Sequence, residues 1–453
     1  MEKPPVNIPE DLSRVSAVFR KHSRQCWLVG GAVRDGLLKR RSEDYDLATD
    51  AKPEEVIGMF RRTVPTGIRH GTVTILMGNH QFETTTFRKD GKYTDGRRPD
   101  KVSYSEDINE DLARRDFTIN AIAWDLINNT LLDPHHGRED IKKQIIRAIG
   151  NPGDRFREDG LRSIRACRFS SQLGFSVHKD TLKAISENLS NISSLSSERI
   201  WEELKKILLS PGPSTAFNLF METGLLEIIL PELKICAGVE QKGRHAYDVF
   251  HHSLRTCDSA DGRNLQLRAA ALFHDIGKPS VKRIDEEGEI TFHRHEIIGA
   301  EITEKILLRY KASNSDRNRI CSLVRHHMFH YTSDWSDAAV RRFMARVNPD
   351  LLDDLIALRL ADATSISPDA GVDEENLKEL LLRIDGILAS ESALSIADLR
   401  INGKDLINKL DVKPGPVMGT LLNYLLDCVL EDPDCNEYER LVDMGKKWLD
   451  IYG

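Results

Sequence analysis

Residues 27–50 constrain the fold of this 453-residue chain more than any other part of its sequence. An apolar, β-prone run ends at the pair Gly30-Gly31, a short helix follows, and the carboxylates Asp44 and Asp46 come next. This order predicts a strand, a tight glycine turn, a helix, a loop and a second strand. Because alternate strand residues point to one face, we expect the two carboxylates to face the same way.

The turn and the helix after it make a natural place for phosphate oxygens. The first N–H groups of the helix, predicted over residues 32–39, have no partner inside it, and Arg34 can donate to the same anion. Carboxylates beside a phosphate suit Mg²⁺, which activates an attacking hydroxyl and stabilises a leaving phosphate. A lone Gly-Gly is usually a turn and a lone D-x-D a solvated edge, so it is their order that indicates a functional site.

The composition predicts a soluble cytoplasmic protein of about three domains. Hydrophobic residues make up 40% and charged residues 30% of the chain, and no apolar run approaches the ~20 residues of a membrane span. The polar, Pro-rich first residues do not resemble a secretory signal. Seven cysteines without a CxxC argue against disulfides and thiolate zinc. The net charge of −7 means that any nucleic-acid partner needs a local basic surface.

The pattern GG-x-x-R-D followed by E-D-x-D-x-x-T resembles the nucleotidyltransferases of the DNA polymerase β superfamily. More narrowly, it is similar to the bacterial class II tRNA nucleotidyltransferase and poly(A) polymerase family. The resemblance implies an α+β chain, in which a small mixed-sheet head precedes helical neck, body, HD and tail domains. It also implies two Mg²⁺ ions at Asp44 and Asp46. A third carboxylate is expected from Glu83, on a hairpin predicted over residues 71–77 and 81–87, although an exposed strand glutamate is the alternative.

A second match is R-R-D-F-T-x-N-A, before a run that we predict as a strand. The resemblance implies that Arg115 contacts the triphosphate and that Asp116 and Asn120 hold the ribose or order the site. The alternative is an ion-paired turn. Residues 87–104 form a charge-rich stretch that predicts a mobile loop, which in the family influences the choice of nucleotide. Its basic residues either meet phosphates or are solvated: Arg88, Arg97, Arg98 and Lys101.

The helical stretch 159–173 carries one carboxylate and three guanidinium groups at three-residue steps, which share a helix face: Asp159, Arg162, Arg165 and Arg168. An acceptor beside a donor suits the pairing edges of cytosine and adenine and opposes those of uracil and guanine. The alternatives are a helix N-cap for the aspartate and a solvated face for the arginines. Resemblance to E-D-x-x-R-x-x-R-A-x-R-F implies that Asp159 and Arg162 template the base, with Arg165 and Arg168 contacting nucleotide phosphate or base.

The later sequence predicts helices, with Trp201 and Leu204 in the core of one over 197–209 and another over 215–230. Near 245–370, histidines and aspartates follow the order of the HD metal-dependent phosphohydrolase superfamily, which they resemble. This implies core ligands His252, His274, Asp275 and Asp362, and extra ligands His295 and His326 of two-metal versions. The spacing does not decide between His251 and His252, and the metal can be Mn, Ni, Fe or Mg.

The resemblance implies five domains: a head (1–150), a neck with the base-templating helix (151–212), a body (213–245), an HD domain (246–370) and a tRNA-binding tail (371–453). The implied reaction transfers CMP, CMP and AMP from CTP and ATP to the tRNA 3′ end and releases pyrophosphate. The alternatives are an A-adding or CC-adding enzyme or a poly(A) polymerase, an HD phosphohydrolase acting on 2′,3′-cyclic or terminal phosphates, and an RNA-binding scaffold. No membrane partner is expected, and the oligomeric state stays open.

Overall fold

The computed structural model describes residues 4–42, 44–68, 71–90, 102–241, 247–286, 288–366, 374–390 and 393–452. The chain divides into two compact units, residues 1–234 and 235–453. Among the described helices, none has the length and apolarity that a membrane crossing requires.

The first unit combines a sheet with helices. Its strands are β1 (Trp27–Val29), β2 (Asp46–Thr49), β3 (Thr63–Gly67), β4 (Thr72–Met77), β5 (His80–Thr86), β6 (Arg88–Asp90), β7 (Val102–Tyr104), β8 (Ala123–Asp125), β9 (Thr130–Leu132), β10 (Ile145–Ile146) and β11 (Ser176–Val177). Its helices are α1 (Glu10–Lys21), α2 (Gly31–Leu37), α3 (Pro53–Met59), α4 (Ile108–Ala113), α5 (Gly137–Lys143), α6 (Pro152–Glu158), α7 (Leu161–Leu173), α8 (Lys179–Glu187), α9 (Ser197–Leu208), α10 (Pro213–Thr223), α11 (Leu225–Ile229) and α12 (Pro231–Lys234).

Seven strands form one mixed sheet in the order β3-β4-β5-β2-β1-β8-β9. The strands β2 and β5 pair in parallel, whereas β1 is antiparallel to both β2 and β8. The predicted hairpin is confirmed as β4 and β5, in which Met77 pairs with His80 across a two-residue turn. A mixed sheet followed by helices confirms the predicted α+β class.

The strand–turn–helix–strand unit is present as β1, α2 and β2, with Val29 opposite Asp46. The turn residue Gly30 has φ +72°, a conformation that is costly for any residue with a Cβ. One detail of the prediction is wrong, because β2 begins at Asp46 and Asp44 precedes the strand.

Two further expectations need correction. The run after Asp116 is not a strand at first, since residues Thr118–Asn120 form a buried 3₁₀ turn before β8. The expected loop over 87–104 is flanked by a short hairpin, with Arg88 opposite Tyr104 in β6 and β7. Its centre, with Arg97, Arg98 and Lys101, lies outside the described residues.

Helix α7 is buried along most of its length and contacts α9 and α10. Trp201 and Leu204 of α9 are buried, as predicted. The helix predicted over 215–230 is interrupted at Gly224, whose φ of +85° ends α10 before α11 begins. Asp159 lies outside α7, in extended backbone after α6, so the predicted shared helix face applies only to the three arginines.

Where the structure describes it, the second unit is helical apart from one small hairpin, as predicted for residues 246–453. Its elements are α13 (Val249–Ser259), α14 (Leu265–Phe273), α15 (Lys278–Val281), β12 (Arg283–Ile284), β13 (Ile290–Thr291), α16 (His295–Arg309), α17 (Asn314–His326), α18 (Asp337–Val347), α19 (Leu352–Ile366), α20 (Glu374–Ala389), α21 (Gly403–Leu410), α22 (Pro416–Glu431) and α23 (Tyr438–Tyr452). Helices α14 and α19 contact each other, and both contact α13 and α17. Helices α21, α22 and α23 share a separate apolar core.

Candidate functional site

A cavity of about 720 Å³ in the first unit brings together all thirteen predicted head and neck residues: Gly30, Gly31, Arg34, Asp44, Asp46, Glu83, Arg115, Asp116, Asn120, Asp159, Arg162, Arg165 and Arg168. The lining also includes Arg88, Arg114, Arg199 and Lys206, so nine basic side chains surround five carboxylates. This is the local basic surface that a nucleic-acid or nucleotide partner needs on an acidic chain.

Three carboxylates converge at the edge of the sheet. Leu47 pairs with Thr84 in parallel, which sets Asp46 on β2 beside Glu83 on β5. Burial and the charges of Asp44 and Glu83 raise the pKa of Asp46 to about 6. Carboxylates this close repel one another, and a divalent cation between them would offset both the repulsion and the cost of burial. The donor set therefore fits a hard cation such as Mg²⁺.

Because Gly30 has no side chain, the guanidinium group of Arg115 can lie close to these carboxylates. A Cβ built at Gly30 would lie 3.3 Å from Arg115 Nη1 and 3.5 Å from Asp46 Oδ2. Arg115 is held from behind, with Nη2 3.2 Å from Asp111 Oδ2 and Nη1 3.5 Å from the carbonyl of Asn120. The absence of a side chain at Gly30 therefore leaves room for the Arg115 guanidinium beside the Asp46 carboxylate.

A chain of polar contacts connects the glycine turn to α7. Arg34 donates to Asn120 Oδ1 at 2.8 Å, and Asn120 donates to Asp116 Oδ1 at 3.1 Å. Arg165 then donates from Nη2 to Asp116 Oδ2 at 2.6 Å. Burial opposes ionisation of Asp116, but the charge of Arg165 and the hydrogen bond from Asn120 outweigh it and lower the pKa of Asp116 to about 2. Asp116 and Asn120 thus connect Arg34 to Arg165 through hydrogen bonds.

The two residues predicted to template the base do not bind each other. Asp159 accepts the backbone N–H of Leu161 at 3.0 Å, and its Oδ2 lies 2.6 Å from Arg199 Nη2. Arg162 donates from Nη2 to the carbonyl of Arg114 at 2.9 Å. Both side chains are therefore oriented by other partners while they line the cavity.

The sequence prediction did not include two charged residues of α9, Arg199 and Glu203. Arg199 pairs with Asp159, and Glu203 accepts from Arg168 Nε at 2.6 Å. Glu203 is 4% exposed. A charged residue on the apolar face of an amphipathic helix was the available signal, because a buried carboxylate requires a cation.

A second cavity of about 630 Å³ lies within the second unit and is lined by His252, His274, Asp275, His295, His327 and Asp362. Asp275 is central to it: Oδ2 lies 3.2 Å from His274 Nε2, and Oδ1 lies 3.3 Å from His295 Nε2. Asp362 Oδ1 lies 2.9 Å from His252 Nε2. The donor atoms form two groups that share Asp275, one with His252 and His274 and one with His295 and His327.

Each imidazole is fixed at Nδ1, which lies 2.8 Å from Ala271 O in His274, 2.8 Å from Phe292 O in His295, 2.7 Å from Val324 O in His327 and 3.0 Å from Ser365 Oγ in His252. A carbonyl only accepts, so His274, His295 and His327 carry a proton at Nδ1 and present Nε2 to the centre. The Ser365 hydroxyl can donate or accept, so it orients the His252 ring without setting its tautomer.

The centre has the properties of a metal site. The Nε2 atoms of His295 and His327 lie 3.3 Å apart. Burial and the neighbouring His274 lower the pKa of His327 to about 3, so this ring is neutral. Facing electron pairs repel at such a distance, and a bound cation converts the repulsion into coordination. The donor set fits divalent metal ions, and Asp275 would be a ligand available to both groups of donors.

The structure corrects one predicted ligand and resolves one open choice. His327, rather than the predicted His326, joins the cluster, because successive helical residues point about 100° apart and only one of them faces inward. His252 is buried in the cluster, whereas His251 is exposed and its Nδ1 lies 2.7 Å from Asp248 Oδ1.

Known proteins resemble this chain over its whole length. The CCA-adding enzyme of Enterococcus faecalis is 32% identical over 446 residues, which cover 97% of each chain. That of Lactobacillus johnsonii is 45% identical over 224 residues, which cover 49% of this chain and 56% of that protein. The structure of the Bacillus stearothermophilus CCA-adding enzyme in complex with CTP has a TM-score of 0.74 at 28% identity and covers 99% of this chain and 98% of that one.

Three family models match: the poly A polymerase head domain at residues 26–147, the "Probable RNA and SrmB- binding site of polymerase A" at 174–236, and the HD domain at 243–366. Together with the carboxylates beside the glycine turn, they define a nucleotidyltransferase that carries an additional HD domain. The full-length relatives narrow this class, and the chain belongs to the CCA-adding enzyme family. The predicted family, fold, function and enzyme class are thereby confirmed.

Proposed function

We propose that the head cavity performs the family reaction with the residues that the sequence predicts. The tRNA 3′ oxygen forms a bond to the α-phosphorus of CTP or ATP, the bond from that phosphorus to the bridging oxygen breaks, and pyrophosphate leaves with the electron pair. The hydroxyl proton passes to solvent. The observation that carries this proposal is the convergence of all thirteen predicted residues on one basic cavity.

Asp44 and Asp46, with Glu83 beside them, would hold two Mg²⁺ ions. When bound, these ions lower the pKa of the attacking hydroxyl and neutralise the leaving phosphate. Arg115 faces the same carboxylates across Gly30 and is suited to seat the triphosphate, with Arg34 and Gly31 at the turn. These contacts are electrostatic and favour the charge that develops during phosphoryl transfer.

Asp159 and Arg162 are suited to select the base, because both line the cavity and each is held in place by another partner, Asp159 by Arg199 and Arg162 by Glu158. The carboxylate accepts from an exocyclic amino group and the guanidinium donates to a ring nitrogen, which matches cytosine and adenine. Arg165 and Arg168 lie about one and two turns further along α7, where their positive guanidinium groups would contact the phosphate or base of the nucleotide. No RNA template is required. Since the tRNA acceptor is cytoplasmic, we place the protein there.

Extension of tRNA transcripts at single-nucleotide resolution tests this function. Transcripts that end before, within and after CC are incubated with each of the four nucleoside triphosphates in Mg²⁺. We expect addition of C, C and A, followed by a stop. Addition of A alone to a CC end would make the chain an A-adding enzyme, and long A tails would make it a poly(A) polymerase. No incorporation would contradict the assignment of the head.

A second activity is favoured by the geometry of the metal cluster in the HD domain. We infer a metal-dependent phosphohydrolase, in which a water oxygen bonds to phosphorus, the ester bond breaks, and the leaving oxygen takes a proton. Mn, Ni, Fe or Mg would suit these nitrogen and oxygen donors. Hydrolysis of 2′,3′-cyclic and terminal nucleotide phosphates by an Asp44→Ala protein, whose head is inactive, tests this activity.

The choice between the neighbouring histidines is directly measurable. His327→Ala is expected to lower metal affinity at the HD site by at least about tenfold, because it removes an inward-facing imidazole. His326→Ala is the matched control, since it removes the same group one residue away. Metal content after dialysis, measured by plasma mass spectrometry, should fall only in the first variant. Equal metal loss in both variants would return His326 to the ligand set.

A further inference from the structure

A second pocket adjoins the metal cavity of the HD domain. This side pocket has a volume of about 450 Å³ and shares His293 and Arg294 with the metal cavity. Its lining comes from α15, β12 and the start of α16, and includes Lys282 and Arg283. A molecule bound in the metal cavity would therefore lie close to Arg294, which also lines the side pocket.

The side pocket has a net positive lining, with three exposed cations, Lys282, Arg283 and Arg294, against one exposed carboxylate, Glu301. Within the described part of the chain, Lys282, Arg283 and Arg294 have no ion-pair partner. The cations of the metal cavity differ, since Lys278 Nζ lies 2.6 Å from Asp275 Oδ2 and Arg359 Nη1 lies 2.8 Å from Asp362 Oδ2. The exposed cations of the side pocket are thus available to an anion.

Arg294 lies where the two cavities meet, with φ +65° and ψ +22° immediately before α16. This left-handed conformation is unfavourable for a residue with a Cβ and suits glycine. Replacing Arg294 with glycine therefore removes the guanidinium group without adding backbone strain.

We propose that the side pocket binds a second phosphate group of the substrate whose phosphate ester is hydrolysed at the metals. This inference rests on the proposed phosphohydrolase function. The substrate class is a phosphate ester with a further phosphate on the same molecule. A nucleoside bisphosphate and an RNA end, whose preceding phosphodiester supplies the second charge, both have this chemistry.

Three probes that differ in the second phosphate test the proposal: 3′-AMP, adenosine 3′,5′-bisphosphate and the dinucleotide ApAp with a 3′-terminal phosphate. The full chain carries Asp44→Ala to silence the head. We expect kcat/KM for at least one two-phosphate probe to exceed that for 3′-AMP roughly tenfold, as charge-assisted contacts predict. The double variant Arg283→Gln, Arg294→Gly should remove this preference. A preference for adenosine 3′,5′-bisphosphate identifies a nucleoside bisphosphate as the substrate, and a preference for ApAp identifies an RNA end.

Arg294→Gly also relieves the backbone, so a misfolded protein is not the expected explanation for a loss. The charge-matched control combines Lys305→Gln with Lys446→Gln, which changes two exposed lysines outside both cavities. A preference that survives in the double variant, or equal kcat/KM for all three probes, would overturn the proposal.

Calorimetric binding of the same probes in EDTA provides a readout that does not depend on hydrolysis. If no probe is hydrolysed with any metal, the phosphohydrolase function fails, and binding alone decides on the side pocket. Tighter binding of a two-phosphate probe that the double variant abolishes supports the pocket. Identical binding by parent and variant refutes it.

Discussion

Asp46→Asn is expected to abolish nucleotide addition, with a loss of at least about 10³-fold in rate, while it stabilises the metal-free protein. The loss follows because the amide cannot neutralise a divalent cation, and electrostatic contributions to phosphoryl transfer are of this size. The gain follows from the pKa of Asp46, which is raised from 3.8 to about 6. Binding of tRNA should survive, because the basic lining of the cavity is untouched.

The stability effect has a defined pH dependence. The folded state holds the Asp46 proton more tightly than the unfolded chain, so wild-type stability is lost as pH rises from 3.8 through about 6. Asp46→Asn should therefore change the free energy of unfolding little at pH 4 and raise it by up to about 3 kcal/mol at pH 8. Thermal unfolding in EDTA measures it, with Asp450→Asn on α23 as the control for charge. Normal addition rates, or no stabilisation at pH 8, would contradict the role of Asp46.

Asp159→Asn is expected to reduce the discrimination against UTP and GTP by roughly 10²-fold, since sites that hydrogen-bond a substrate group reject its analogue strongly. The carboxylate can only accept, whereas the amide both accepts and donates and so can pair with uracil or guanine. The ratio of kcat/KM values for CTP and UTP on a tRNA that lacks CCA measures the change.

The matched control for this variant is Asp154→Asn on α6, an exposed carboxylate outside the cavity. The pair between Asp159 and Arg199 weakens in the Asp159 variant, so its melting temperature must be followed. A ratio that stays at the wild-type value while the protein remains folded would remove Asp159 from base selection.

The sequence allowed prediction of features that are local in the chain. The glycine turn, the hairpin that carries Glu83 and the order of the HD ligands each depend on residues close together, whose spacing reflects strand or helix geometry. The metal and nucleotide roles of these residues stay predictions.

The features that the sequence did not predict depend on contacts between distant elements or on helix phase. Arg199 lies forty residues from Asp159, and no spacing rule connects them. The choice between His326 and His327 depends on how α17 is rotated against its neighbours, which a run of two histidines does not specify. Asp159 appeared to continue the three-residue series of α7, but the chain changes direction before Leu161.

The polar chain from Arg34 through Asn120 and Asp116 to Arg165 has a consequence for how errors are avoided. It joins the turn proposed to seat the triphosphate to the helix proposed to lie beside the base, so a shift of either end would be transmitted to the other. A nucleotide with the wrong base can enter, but its misfit on α7 would displace the phosphate contacts. Discrimination between nucleotides would then appear mainly in kcat. A wrong nucleotide would bind, but its α-phosphorus would not be aligned with the tRNA 3′ hydroxyl.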